Sequence, residues 1–247
     1  MNRILFEHFE VKDGIATCDG VRAAHIVQVL HGEVGQRLKI GVLDGPIGTG
    51  VIESVESFDA AGGPSFRVAV KAELADCGLQ PWADLVLAPP RPRVMKRLLP
   101  QLASMGVGRI VLVGAKKVEK DFWGATLLKE ENYRPLLVEG LMQAGTSVVP
   151  SLETRRNFRK FVMEELDTMF PGGDRVVAHP YSDGAEPSAV RPSGRLLLAV
   201  GPEGGWTDDE VSLLESRGFR RYSLGRRILK TETATIALLS KLNTEDQ

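Results

Sequence analysis

Cysteine is almost absent from this chain: Cys18 and Cys77 are its only two in 247 residues, far apart and without the paired spacing of a metal-binding motif. Neither a disulfide framework nor a zinc site is expected, and both thiols are read as buried. Long apolar runs are lacking too. No stretch approaches the roughly 20 residues that span a bilayer, and the opening MNRILFEHFEV places acids where a secretory signal needs its apolar block. A cytoplasmic location with no membrane partner is expected. The chain also lacks a large charge of one sign, its formal net charge being −1, which by itself argues against attachment to a polyanion through bulk charge. Internal repeats and low-complexity segments are absent as well.

What is present is a globular composition, 43% hydrophobic and 26% charged, with length for one large or two modest domains. Its charge is unevenly laid out. Residues 91–134 carry ten Lys/Arg against four acids, and RGFRRYSLGRRILK, from Arg217 to Lys230, carries six cations and no acid. Such blocks supply phosphate contacts if the fold gathers them on one face, and are plain solvated surface if it does not.

The texture changes near residue 74. Up to there, the β-rich runs RLKIGVL, GTGVIESV and SFRVAVKAEL are separated by glycine turns and read as a small barrel. A short helix in RAAHIVQVLHGEVG interrupts them, ended by Gly32 or Gly35. This predicts one domain over residues 1–74 and another over 75–247. In the second, short apolar runs (DLVLA, RIVLVGA, RVVAHP, RLLLAV) alternate with amphipathic ones (VMKRLLPQLASMG, LLVEGLMQAG, TDDEVSLLESRG, ETATIALLSKL). That alternation predicts an α/β fold, a parallel sheet with helices on its faces and a ligand crevice beyond the carboxyl ends of its strands.

The stretch AVGPEGGWTDDEV, from Ala199 to Val211, lies at one such strand end. Thr207 and Glu210 have the S/T-x-x-E spacing of a capping box that starts the next helix. Gly201, Gly204 and Gly205 remove side chains so that backbone groups can approach a flat ligand, and Pro202 stiffens the turn. With neither Gly-Lys-Ser/Thr nor G-x-G-x-x-G, the loop suits an adenine or ribose better than a phosphate. Trp206 is read as a packing residue beside it. A second turn, in YSLGRRILKTETATIALLS, breaks at Gly225 before a helix that Thr231 or Thr233 caps.

The pair GPEGGW and LGRRILKTETATIALLS, in that order and at the C-terminal end, resembles the SPOUT-superfamily methyltransferases that modify N3 of a uridine in 16S ribosomal RNA. The N-terminal AAHIVQVLHGEVGQRLKIG is similar to the H-x-x-x-V-L-R-x-x-x-G run of that family. The resemblance implies a PUA-like β-barrel over residues 1–74 that helps hold RNA. Over residues 75–247 it implies a knotted parallel-sheet domain that binds S-adenosylmethionine and forms a homodimer. The implied substrate is ribosomal RNA within the small subunit, and the implied cofactor edge comprises His179 and Pro180, Val200, Gly201, Pro202, Glu203, Gly204 and Gly205, with Leu224, Gly225, Ile228, Leu229 and Thr233.

Methyl transfer from a sulfonium asks for alignment, loss of the imide proton and a place for the resulting negative charge, and calls for no metal. Arg227 and Lys230 are the candidates for orienting phosphate or uracil carbonyls. Glu232 is a candidate base or orienter, or merely an acid complementing a helix dipole. Arg22 and His25 in the first domain, and Lys116, Lys117, Lys120 and Arg226 in the second, are candidate RNA contacts, with Trp123 lying among the lysines. The sequence also departs from the family: His31 and Thr146 stand where arginines are usual, Lys230 replaces another, and GAKKVEKDFWGATLL replaces a serine-rich stretch. Three other readings stay open on these grounds: a methyltransferase with another RNA target, a non-catalytic RNA-binding or ribosome-assembly factor, and an enzyme using another adenine nucleotide.

Overall fold

The computed structural model describes residues 3–60, 63–180 and 192–243. The chain divides into two compact units, one of Met1–Leu79 with Leu141–Val149 and one of Gln80–Gly140 with Pro150–Gln247.

In the first unit, β1 (Ile4–Phe6), β2 (Val11–Lys12), β3 (Ile15–Asp19), β4 (Arg37–Val42), β5 (Pro46–Ala60) and β6 (Gly63–Cys77) form one sheet in the order β1-β4-β5-β6-β3-β2. All its pairings are antiparallel except that of β1 with β4. Leu38, Ile40 and Val42 on β4, and Val68 and Val70 on β6, are buried in the period-2 alternation of a strand, which gives the sheet one apolar face. Ile4, Phe6 and Ile26 complete the cluster. The expected helix is present as α1 (Gly20–Ala24), continued by a π turn over His25–Val29. It ends not at Gly32 or Gly35 but at His31, whose φ of 51° takes the left-handed cap conformation. Gly32 serves packing instead, since a Cβ there would meet Ile26 Cγ2 at 2.7 Å.

The segment 141–149 joins this unit through polar contacts. Ser147 Oγ donates to Gly45 O at 2.7 Å, and Asp44 Oδ1 accepts from the Val149 N–H at 2.7 Å. Thr146, at a position where the resemblance anticipates arginine, is buried and donates to Leu79 O at 3.2 Å. Of the two cysteines only Cys18 is buried, which pushes its thiol up to about 11. Cys77 is exposed, contrary to expectation, because it closes β6 at the open end of the β5–β6 hairpin, opposite Pro46.

The second unit holds β7 (Ala83–Leu87), α2 (Pro92–Ser104), β8 (Val107–Val113), α3 (Glu130–Ala144) as far as Gly140, β9 (Ser151–Arg155), α4 (Phe158–Lys160), α5 (Leu166–Met169), β10 (Asp174–Ala178), β11 (Leu196–Val200), α6 (Asp208–Glu215), β12 (Arg220–Tyr222) and α7 (Thr231–Leu242). Its sheet runs β12-β10-β11-β7-β8-β9 with every pairing parallel, as the β-α alternation predicts. All five residues of β7 and of β11 are buried, as in a strand covered on both faces. At the amino ends of these strands Arg195 grips the nearly buried Asp84 with two bonds of 2.7 and 2.8 Å. No helix among the described residues is long and apolar enough to cross a membrane.

Gly140 shows how closely α3 meets α2: a Cβ there would stand 2.0 Å from Pro100 O. Alanine is normally the better helix former, yet here Gly140→Ala is expected to destabilise the unit by about 2–3 kcal/mol through overpacking. Thermal unfolding checks it, with an expected fall of roughly 4–12 °C in Tm and an unchanged Tm as the contrary result.

Candidate functional site

Strand order determines which loops meet. Because β11 lies beside β10 and β10 beside β12, the chain leaving these three strands emerges at one end of the sheet, and their loops enclose a cavity of ≈ 260 Å³. Ala178, His179 and Pro180 line it after β10, Val200 to Trp206 after β11, and Tyr222 to Leu229 after β12. Thr231, Ala234 and Leu238 add one face of α7.

Each wall has a local cause. The 201–206 loop is held by the anticipated capping box: Thr207 Oγ1 accepts from the Glu210 N–H at 3.4 Å, and Glu210 Oε2 accepts from the Thr207 N–H at 2.8 Å. Gly205, at φ 69°, takes a conformation that side chains disfavour. Trp206 is almost fully buried under Gly201 and packs on Phe158, with ring centroids 5.2 Å apart. The 223–230 segment turns at Gly225, φ 119°, and between Leu224 and Leu229 no backbone N–H donates to another backbone group among the described residues. Ile228 is 88% exposed there.

Thr231 joins the two turns. Its hydroxyl, buried at the start of α7, donates to Gly201 O at 3.2 Å instead of capping the helix, and the Thr235 hydroxyl donates to Thr231 O at 2.7 Å. On the opposite wall, burial and then the Arg221 cation hold His179 below the ordinary imidazole value, so its ring is neutral near pH 7. The cavity therefore offers backbone N–H and C=O groups, apolar surfaces from Leu224, Leu229 and Leu238, and two cations, Arg226 and Arg227. Such walls take a flat heterocycle and place positive charge beside it.

The structure brings together most residues singled out from sequence. His179, Pro180, Val200, Gly201, Pro202, Glu203, Gly204, Gly205, Leu224, Gly225, Ile228 and Leu229 all line the cavity, as do Arg226 and Arg227. Thr233 does not. It sits with Glu232 on the other side of α7, along a groove shared with Val94 and Leu98 of α2, and Glu232 Oε2 is buried there without a hydrogen-bond partner among the described residues. Lys230 occupies the N-cap of α7 and is exposed. Thr231, Ala234 and Leu238 were the legible alternative, because spacings of three and four share a helix face while Thr233 falls off it.

The candidate RNA contacts are divided. Arg22 is engaged within the first unit, bonding both carboxylate oxygens of Glu10 and Leu5 O, and the Glu10 hydrogen bond pushes its pKa above the ordinary arginine value. His25 Nε2 is buried without a partner among the described residues. Lys117 Nζ donates to Gly204 O at 2.6 Å, which ties it to the cavity loop, and all three of Lys116, Lys117 and Lys120 are exposed. No cluster of three His, Cys, Asp or Glu among the described residues is arranged to hold a metal.

With this geometry in place, comparison with known proteins is direct. The family described as RNA methyltransferase domain matches residues 79–243. Ribosomal RNA small subunit methyltransferase E of Treponema pallidum is 33% identical over 246 residues, covering 96% of this chain and 88% of that one. A solved structure of a putative methyltransferase from Legionella pneumophila, in complex with the bound cofactor SAM, superposes with a TM-score of 0.75 at 25% identity, over 97% of this chain and 96% of the other. Ribosomal RNA small subunit methyltransferase E from Neisseria gonorrhoeae, bound to S-adenosyl methionine, gives a TM-score of 0.73 at 20% identity, over 99% and 97%.

Replacing Thr231 tests the junction of the two turns. Thr231→Val keeps the side-chain shape but leaves Gly201 O buried without its donor, and is expected to cost about 1–3 kcal/mol, while Thr231→Ser retains the hydroxyl and stays near wild type. Urea unfolding of the two variants reads the difference; equal midpoints would show that the bond contributes nothing.

Proposed function

Because this chain belongs to the RNA methyltransferase family and aligns along nearly its whole length with ribosomal RNA small subunit methyltransferase E, we propose that it transfers the methyl group of S-adenosylmethionine to N3 of a uridine in 16S ribosomal RNA. The observation that carries this reading is the cavity at the carboxyl ends of β10, β11 and β12, built from two glycine turns and flanked by two arginines.

The residues present fit the cofactor. A flat adenine needs close backbone approach and apolar faces, and Gly201, Gly204, Gly205 and Gly225 give the first while Leu224, Leu229 and Leu238 give the second. Apart from the Gly225 N–H, which donates to Ser223 Oγ at 3.2 Å, the backbone N–H groups from Leu224 to Leu229 have no backbone acceptor among the described residues and are available to a ligand's polar edge. Bound there, S-adenosylmethionine supplies a methyl group that is already electrophilic on its sulfonium sulfur. What the chain adds is alignment and charge. Arg227 on the cavity wall holds the uracil carbonyls and stabilises the anion left when the N3 proton passes to solvent water, and Arg226 beside it takes a neighbouring phosphate.

The finer architecture belongs to the same reading. The first unit acts as a PUA-like barrel for RNA, supported by its largely antiparallel six-stranded sheet. The second follows a knotted path, supported by a strand order in which β11 lies between β10 and β7 and by the bond that pins Thr231 to Gly201. The chain works as a homodimer in the cytoplasm on the small ribosomal subunit, and the outward-facing Ile228 at the cavity rim supports a partner surface there.

Single-turnover transfer of labelled methyl to small subunits lacking the mark tests the reaction. Wild type is expected to label 16S RNA, and Arg227→Ala to slow the step roughly 10²-fold at saturating RNA and cofactor, the scale for losing one donor to a developing anion. A full rate in Arg227→Ala removes that residue from the chemistry; no heat of S-adenosylmethionine binding to wild type overturns the reading.

A further inference from the structure

The wall of the cofactor cavity has a second side. Trp206 lines the cavity, and the Phe158 ring packed on it lines a separate open cleft of ≈ 490 Å³ together with Lys116, Arg156, Asn157, Arg159 and Thr207. Trp206 and Thr207, neighbours in sequence, thus each line one of the two spaces. The cleft too lies beyond the carboxyl ends of parallel strands, since Gly114 and Lys116 follow β8 and the segment from Arg156 to Arg159 follows β9.

One of its cations, Arg156, is held in place. The Gly114 N–H donates to Arg155 O at 2.9 Å, and a Cβ on Gly114 would stand 2.0 Å from Arg156 O, so the two chain segments touch more closely than any side chain allows. The Arg156 guanidinium lies 5.8 Å from the centre of the Trp123 ring and donates to Trp123 O at 3.1 Å. Asn157 Oδ1 is used by the Lys160 N–H at 3.0 Å, which leaves its amide hydrogens as donors.

These cations are also unneutralised. Elsewhere in this unit Arg155, Arg175, Arg217, Arg220 and Arg221 each pair with a carboxylate. Arg156, Arg159 and Lys116 make no ion pair with the described residues, and all three are exposed. One of the two acids in the cleft wall, Glu210, is committed, its two oxygens accepting the Lys116 N–H at 2.7 Å and the Thr207 N–H at 2.8 Å. Asp209 stands on the α6 side and leaves the side of Arg156 and Arg159 as the one that favours an anion.

We propose that this cleft holds the sugar–phosphate backbone of the RNA strand beside the target nucleotide, with Arg156, Arg159 and Lys116 as its phosphate contacts. The inference rests on RNA being the substrate. Spread cations in an open groove suit a chain of phosphates rather than one small anion, and the shared wall puts that chain next to the cavity in which a base would be methylated.

The test is binding of unmethylated 16S RNA across a salt series, for wild type, Arg159→Gln and the double variant R156Q/R159Q. Each lost contact to a single strand lowers the slope of log K against log salt by about 0.7, so the double variant is expected to lose about 1.4 and Arg159→Gln half of that. Arg159→Lys keeps the wild-type slope because it keeps the charge. Calorimetry with S-adenosylmethionine is expected to match wild type in all three variants, since neither residue lines the cavity. A wild-type slope in the double variant overturns the cleft alone. A wild-type chain that does not bind the RNA overturns it together with the reading on which it rests, and a reduced slope in a chain that transfers no methyl supports the cleft while the reaction fails.

Discussion

One buried hydrogen bond, from the Thr231 hydroxyl to the Gly201 carbonyl, holds the site together. The parallel sheet already brings the ends of β10, β11 and β12 to one edge, but loops after strands are free to diverge. This bond ties the first residue of α7 to the first residue of the β11 loop, so that the 223–230 segment, which has no regular structure, must arch over the space between them. From that closure follow the backbone-rich walls, the placement of Arg226 and Arg227 at the cavity, and the burial of Trp206 below it.

Charge is distributed by the same geometry. Away from the sheet's carboxyl edge, arginines of the second unit are consumed by structure: Arg175 and Arg217 share Asp167, and Arg195 is bonded to Asp84. At that edge Arg156, Arg159, Arg226 and Arg227 are left without carboxylate partners among the described residues. Surface ion pairs contribute little to stability, about 0–1 kcal/mol each, so pairing an arginine mainly removes it from the charge available to a partner. A net charge of −1 is therefore compatible with a local surface for polyanions.

Much of this was legible in the sequence where the signal is local. Thr207 and Glu210 form a capping box because spacing alone brings them together, and GPEGG marks a strand end because few residues besides glycine turn so tightly. What failed was helical phase in one case and non-local pairing in the others. Thr233 was placed at the cavity although α7 turns Thr231, Ala234 and Leu238 there, a distinction of helical phase. Arg22 looks free in sequence, and its partner Glu10 is fixed only by the fold. The run TRRNFRKF displays its four cations openly, yet only the adjacency of β8 and β9 shows that two of them, Arg156 and Arg159, adjoin Lys116. Thr146, which stands where the resemblance anticipates arginine, is taken up by a bond to Leu79 O that only the fold shows.

The central claim is that the cavity delivers a methyl group to N3 of one uridine in 16S RNA. Its most direct test is nucleoside mass spectrometry of 16S RNA from small subunits incubated with the protein and isotopically labelled S-adenosylmethionine. The account predicts that the label appears in 3-methyluridine and in no other nucleoside. Label in a different methylated nucleoside, or none in RNA from subunits that demonstrably lack the mark, would contradict it.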